Sequence, residues 1–169
     1  MPRWSASDLW GSVRLPNVIL GSTAVTVSTQ GQCRVAVLRR DAIPSPNGWL
    51  AVASDATPES ESVVIGALEE ARLRGSPVVV VGVRRWQSLE PSYDELDRRT
   101  TYLAHRYPGV RTKVVSTDGD IVRYLAHQRD DDVHMVVVGT ADAEAVVDIV
   151  GPHGTMFGGA RRHSVLVVR

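Results

Sequence analysis

From residue 49 onward, short apolar runs alternate with longer stretches whose apolar positions recur every three or four residues. The first run, Trp49-Leu50-Ala51-Val52-Ala53-Ser54, ends at Asp55 and predicts a strand. Thr57 and Pro58 then supply a helix N-cap and a first-turn proline, and Glu59 and Glu61 lie near the positive helix end. Val63, Ala67, Ala71 and Arg74 follow at helical spacing, widened by Val64 and Leu68, until Gly75-Ser76-Pro77 stops the helix. The run from Val78 to Val83 is continuous rather than alternating, as expected of a strand buried on both faces. Leu96, Thr100, Leu103 and Tyr107 mark a second helix that Pro108-Gly109 closes, and Val110 to Val115 predicts a third strand. Asp118-Gly119-Asp120 opens a short helix carrying Ile121, Val122, Leu125 and Ala126. Val133 to Val138 predicts a fourth strand ending at Gly139, residues 140–163 read as irregular or helical, and Ser164 to Val168 predicts the last strand.

Strand and helix thus alternate over about 120 residues, which predicts an α/β fold with a doubly wound, parallel, five-stranded, Rossmann-like sheet. Ligands of such sheets sit beyond the strand C-terminal ends, in the crevice where the strand order reverses. Asp55 and Gly139 stand at strand C-termini and are the first candidates.

Residues 1–47 fall outside this unit. Arg34 to Leu38 reads as a strand, Pro44-Ser45-Pro46-Asn47-Gly48 as a linker, and residues 23–32 as helix or strand. A displacement of 130 residues aligns Gly21 with Gly151, Val35 with Val165, Val37 with Val167 and Arg39 with Arg169. Both segments end in a strand followed by arginine, the mark of a degenerate repeat about one domain long. Arg34–Leu38 is accordingly expected beside Ser164–Val168, within one chain or across two, protecting an exposed sheet edge.

Composition narrows the function. Nineteen basic and nineteen acidic side chains cancel, so no overall field favours nucleic acid or an acidic membrane surface. Lys113 is the single lysine and lies in a predicted strand, which disfavours a phosphate-loop NTPase. Cys33 stands alone, which leaves no disulfide framework within one chain and suggests a small buried hydrophobe. No apolar run approaches a membrane span, and the N-terminus, with Trp4, Asp8 and Trp10, lacks the apolar core of a secretory signal; a cytoplasmic protein is expected. Catalysis finds little support: there is no Gly-x-Ser-x-Gly elbow, nor the acid cluster and lysine of a phospho-accepting receiver. The five histidines are scattered and the Asp130-Asp131-Asp132 run reads as a solvated turn, so no metal site is expected.

The residues resemble the universal stress protein family over nearly the whole chain. Ala53-Ser54-Asp55-Ala56-Thr57-Pro58-Glu59-Ser60-Glu61 resembles its first strand end and turn, and Leu68-Glu69-Glu70-Ala71-Arg72 its first helix. Val136-Val137-Val138-Gly139 is similar to its fourth-strand terminus, and Val165-Leu166-Val167-Val168-Arg169 to its closing strand. The resemblance implies an adenine nucleotide alpha hydrolase-like fold. ATP-binding members carry three glycines, the last followed by Ser or Thr, between strand four and the last helix, where small residues let backbone N–H groups approach phosphates. Here Gly139 fits the first position and Gly151 the last, but the central glycine is absent and Pro152 replaces the hydroxyl residue. Asp142, Glu144 and Asp148 add negative charge where phosphates would lie. Near the N-terminus, Gly11, nine residues, then Gly21-Ser22 fits the other half of the motif. Residues 1–47 therefore resemble the loop, last helix and last strand of a preceding domain plus a linker, residues 48–169 a universal stress domain, and the whole a truncated tandem form.

Carried over residue by residue, the resemblance places Ala53, Asp55, Val83, Val138, Gly139 and Gly151 against adenine, ribose or phosphate, with Gly11, Gly21 and Ser22 as further candidates. Asp55 is either an acceptor for ribose hydroxyls or an aid to capping helix one. Gly139 and Gly151 are either phosphate contacts or turn glycines, Gly21-Ser22 either a ligand contact or a helix cap, and His153 either a solvated loop residue or a cation for phosphate. The leading expectation is a stress-associated regulatory or binding protein, not an enzyme, with degenerate, weak or absent ATP binding. Its rivals are a functional ATP binder with at most slow hydrolysis, and a structural partner-docking module. The family also implies a homodimer or self-association through the last strands, while the balanced charge and the lack of a long apolar run lead to the expectation of no nucleic-acid or membrane partner.

Overall fold

The computed structural model describes residues 22–38, 48–83, 93–127, 133–143, 145–150 and 163–169. In chain order these form α1 (Ser22–Gln30), β1 (Val35–Val37), β2 (Trp49–Ser54), α2 (Pro58–Arg74), β3 (Val78–Gly82) and α3 (Tyr93–Ala104). They continue with β4 (Thr112–Ser116), α4 (Ile121–His127), β5 (Val133–Gly139), a 3₁₀ turn (Thr140–Asp142), α5 (Ala145–Val150) and β6 (Ser164–Val168). The ambiguous stretch after residue 22 is helical.

One mixed sheet runs in the order β1-β6-β5-β2-β3-β4. Its last five strands are mutually parallel, as expected, and β1 joins as a sixth, antiparallel to β6. Going along the chain from β2, the sheet first grows through β3 and β4, then resumes on the other side of β2 with β5. The reversal lies between β2 and β5, so their C-terminal ends, Ser54-Asp55 and Gly139, flank the switch-point crevice.

Alternation along the parallel strands divides the core in two. Leu50, Val52, Val78, Val80, Met135, Val137 and Leu166 pack with α2 and α3 on one face. Ala51, Ala53, Val79, Val81, Val136, Val138, Val165 and Val167 pack with α4 and α5 on the other. Both faces are covered, so β3 is buried along its whole length, and burial of its valines contributes on the order of 1.5–3 kcal/mol per side chain.

The helix ends follow local chemistry. Thr57 caps α2 with its side chain, and Gly75 ends it in the left-handed region at φ 67°, its N–H bonding Ala71 O. Asp120 Oδ1 accepts from Arg123 N at 2.8 Å at the start of α4. Arg74, though in phase with the apolar stripe, points outward and pairs with Glu70.

β1 pairs Val35 with Val167, Ala36 with Leu166 and Val37 with Val165. Ala36 therefore faces the residue it aligns with under the 130-residue displacement, and Val35 and Val37 face each other's counterparts. The similar segments meet about a local two-fold axis through the Ala36–Leu166 pair. Arg169 Nη2 reinforces the joint by donating to Ser28 O at 2.9 Å in the last turns of α1, and Arg34 pairs with Glu69 of α2 at 2.8 Å. The outer edge of β6 is thus filled from within the chain, the first of the two arrangements expected for Arg34–Leu38.

Cys33 corrects the expectation of a buried thiol: it is exposed. It lies in the bend linking α1 to β1, where neither element turns an inner face toward it.

Candidate functional site

The crest of the sheet at the β2–β5 reversal is built first by backbone pairing. β2 and β3 remain joined past their ends, with Val83 N donating to Ser54 O at 3.0 Å, and Thr117 N continues the β3–β4 edge by donating to Gly82 O at 3.2 Å. Three of the sequence-derived candidates, Ala53, Val83 and Val138, come together in one buried cluster on the α4–α5 face. Asp55 follows directly, a carboxylate only 6% exposed at the rim of that cluster.

A carboxylate so buried needs hydrogen-bond donors. Thr57 supplies two: its backbone N–H at 3.2 Å and its hydroxyl at 2.6 Å, both on Asp55 Oδ1. Because the Thr57 hydroxyl proton is directed at Asp55, a lone pair of the same oxygen faces α2 and accepts from Ser60 N at 3.3 Å. Thr57 is therefore the N-cap, and Asp55 orients it from outside the helix. Of the two roles expected for Asp55, ribose acceptor or aid to capping, these bonds show the aid to capping.

The turn is closed by a second chain of hydroxyls that sequence reading had not assigned. Ser60 Oγ donates its only proton to Thr57 O at 2.9 Å, so in its 3.1 Å contact with Ser54 Oγ it must accept. Ser54 Oγ in turn accepts from Ala56 N at 3.2 Å. Every hydroxyl proton in this chain has one destination. Ala56, between the two networks, sits at φ 59°, a left-handed conformation that costs a non-glycine residue about 1–2 kcal/mol. The spacing Ser54, Thr57, Ser60, one hydroxyl every three residues, was the available signal.

Across the crevice, Gly139 is extended (φ −83°, ψ 173°) and requires no special backbone freedom. A Cβ there would lie 2.9 Å from Val63 Cγ2. Close packing of β5 against α2 therefore accounts for this glycine. The chain then enters the 3₁₀ turn, where Ala143 N bonds Thr140 O at 3.2 Å, and α5, whose first turn holds Asp148. Asp142 lies in the 3₁₀ turn itself. Gly11, Gly21 and Gly151, and with them His153 and Asp130–Asp132, lie outside the described residues; Ser22 is the first residue of α1.

Among the described residues no group of three His, Cys, Asp or Glu side chains is placed to hold a metal, and no helix is long and apolar enough to cross a membrane. Of the other histidines, His127 bonds the Arg123 carbonyl oxygen at 2.7 Å on the surface, while His163 is buried with Nδ1 2.7 Å from Val133 O. His134 is half-buried at the N-terminal edge of β5, and burial holds its pKa below the ordinary value.

No family model matches the chain. Among curated proteins it is 35% identical over 161 residues to Universal stress protein Rv2624c of Mycobacterium tuberculosis, covering 94% of this chain and 59% of that relative. It is 34% identical over 140 residues to Universal stress protein Rv2028c of the same organism, covering 80% and 50% respectively. The chain therefore spans only half to three-fifths of the length of these relatives. Among solved structures, a looser likeness is to the universal stress protein from Archaeoglobus fulgidus in complex with dAMP, with a TM-score of 0.47 at 18% identity, over 73% of this chain and 98% of that one.

Proposed function

The chain belongs to the universal stress protein family, and from that premise we propose that it is a regulatory binding protein that recognises the adenosine half of an adenine nucleotide and holds the phosphates weakly. The observation that carries the reading is the buried Asp55 carboxylate, fixed by two donors from Thr57 at the strand-reversal crevice beside the apolar cluster of Ala53, Val83 and Val138. A carboxylate in a water-poor rim is suited to accept from ribose hydroxyls, since hydrogen bonds to charged groups contribute about 1.5–3 kcal/mol. We place the base on this apolar side of the crevice.

Among the described residues the phosphate side has no equivalent support. Gly139 is explained by packing on Val63, and Asp142 and Asp148 bring charge of the wrong sign to the following segment. We read residues 1–47 as the remnant of a preceding domain with its linker and residues 48–169 as the universal stress domain; the local two-fold between β1 and β6 supports that division. The protein is proposed as a cytoplasmic binder rather than an enzyme.

Equilibrium dialysis with adenosine, AMP and ATP tests the proposal. All three should bind with affinities within about threefold of one another, because each phosphate adds little. Tightening of 30-fold or more from adenosine to ATP would overturn the weak phosphate hold, and no binding of adenosine would overturn the site itself.

A further inference from the structure

Asp55 cannot recognise a diol unless its carboxylate is held in one orientation, and a residue two positions away holds it. Thr57 makes two hydrogen bonds to Asp55 Oδ1, one from its backbone N–H at 3.2 Å and one from its hydroxyl at 2.6 Å. The short hydroxyl bond is the stronger of the two and the only one a side-chain substitution removes. Thr57 is itself immobilised, because its oxygen also serves Ser60 N, its carbonyl receives Ser60 Oγ, and its neighbour Ala56 is locked at φ 59° between Ser54 and Thr57. Rotation of the Asp55 side chain away from its present orientation would break the 2.6 Å bond and loosen the cap together.

We propose that Thr57 is a positioning residue whose hydroxyl sets the Asp55 carboxylate for the ribose cis-diol and thereby makes the site selective for ribonucleosides over their dideoxy counterparts. This rests on the adenosine-binding reading and adds to it the residue that orients the sugar-binding carboxylate. Thr57 touches no ligand. Its effect passes entirely through Asp55, so it must vanish when either the carboxylate or the diol is removed.

The test is isothermal titration of the full chain with ATP and with 2′,3′-dideoxy-ATP, in wild type, Thr57→Val, Thr57→Ser, Asp55→Asn and the Thr57→Val/Asp55→Asn double variant. Wild type should prefer ATP by about tenfold or more. Thr57→Val should lose about tenfold in ATP affinity and leave the dideoxy affinity within twofold. Thr57→Ser, which keeps the hydroxyl, should restore ATP binding, and adding Thr57→Val to Asp55→Asn should cost nothing further. Melting curves run alongside separate the loss of the cap from the loss of binding, since a missing cap lowers stability whichever nucleotide is offered. An equal drop for both nucleotides in Thr57→Val, or an undiminished effect in the Asp55→Asn background, overturns the assignment. Wild type that binds both nucleotides equally overturns diol selection while leaving adenosine recognition standing; wild type that binds neither overturns both.

Discussion

The two lips of the crevice are made differently although they face each other across one strand reversal. The β2–α2 lip, from Ser54 to Ser60, is a closed circuit: a buried carboxylate, three hydroxyls and a strained alanine, each fixing another. The β5 lip, from Gly139 through the 3₁₀ turn, is shaped by packing against Val63 and by acidic side chains. Among the described residues, polar atoms are arranged tightly on one side and the other follows core packing, the contrast on which the proposed recognition of sugar and base rests.

The largest expected break in this contrast is Asp55→Ala. It should lower adenosine affinity by about 10- to 100-fold, the value of a hydrogen bond to a charged group, and titration calorimetry reads it directly. A loss of binding without a comparable loss from the β5 lip sharpens the asymmetry; no loss abolishes it.

Gly139→Ala comes next and should act on stability instead. Its Cβ meets Val63 Cγ2 at 2.9 Å, so overpacking should cost about 1–3 kcal/mol in chemical denaturation. Val63→Ala added to it should recover part of that loss by opening the space. If Gly139→Ala instead abolished nucleotide binding with stability intact, the second lip would have to be reassigned to the ligand.

A smaller effect is expected at the opposite edge of the sheet, as a control away from both lips. Burial, then the charge of Arg74, lowers the His134 pKa below 6.5, with a backbone hydrogen bond to Gly48 opposing. Below pH 6.5 the unfolded chain binds the proton more readily than the folded one, so stability is full above that value and falls as pH drops toward the lowered folded pKa. Denaturant midpoints compared on either side of pH 6.5 should show this decline, and His134→Gln should flatten its share. Nucleotide selectivity should not follow it. The smallest effect is Ala56→Gly: relief at φ 59° is offset by added freedom in the unfolded chain, leaving stability within about 0.5 kcal/mol.

Much of the scaffold was legible because it depends on local rules. Val-rich runs announced strands buried on both faces, and Thr57, Pro58 and Gly75 announced the ends of α2 at the positions where its caps lie. Alternation implied a strand reversal, and hence a crevice at Asp55 and Gly139. What sequence could not supply was direction: whether Asp55 turns toward a ligand or its own helix depends on side-chain rotamers, and the structure shows it tied to Thr57. The Ser54–Ser60 contact was hidden for the same reason, since serines near a helix start look alike whether they cap or relay. Gly139 was ambiguous because a missing Cβ reads the same facing a phosphate or Val63. Cys33 misled because average thiol burial says nothing of a bend between two peripheral elements.

The antiparallel joint between β1 and β6 also bears on the order in which the chain acquires its shape. Val35 meets Val167 across about 130 residues of sequence, whereas Leu50 meets Val78 across only 28. The nearly fivefold wider loop carries about 1.4 kcal/mol more closure entropy, to be met by three residue pairs and a guanidinium contact. The parallel strands are expected to assemble before their sixth neighbour, and β1 amides should exchange with solvent earlier than those of β3, opening at an energy below that of global unfolding.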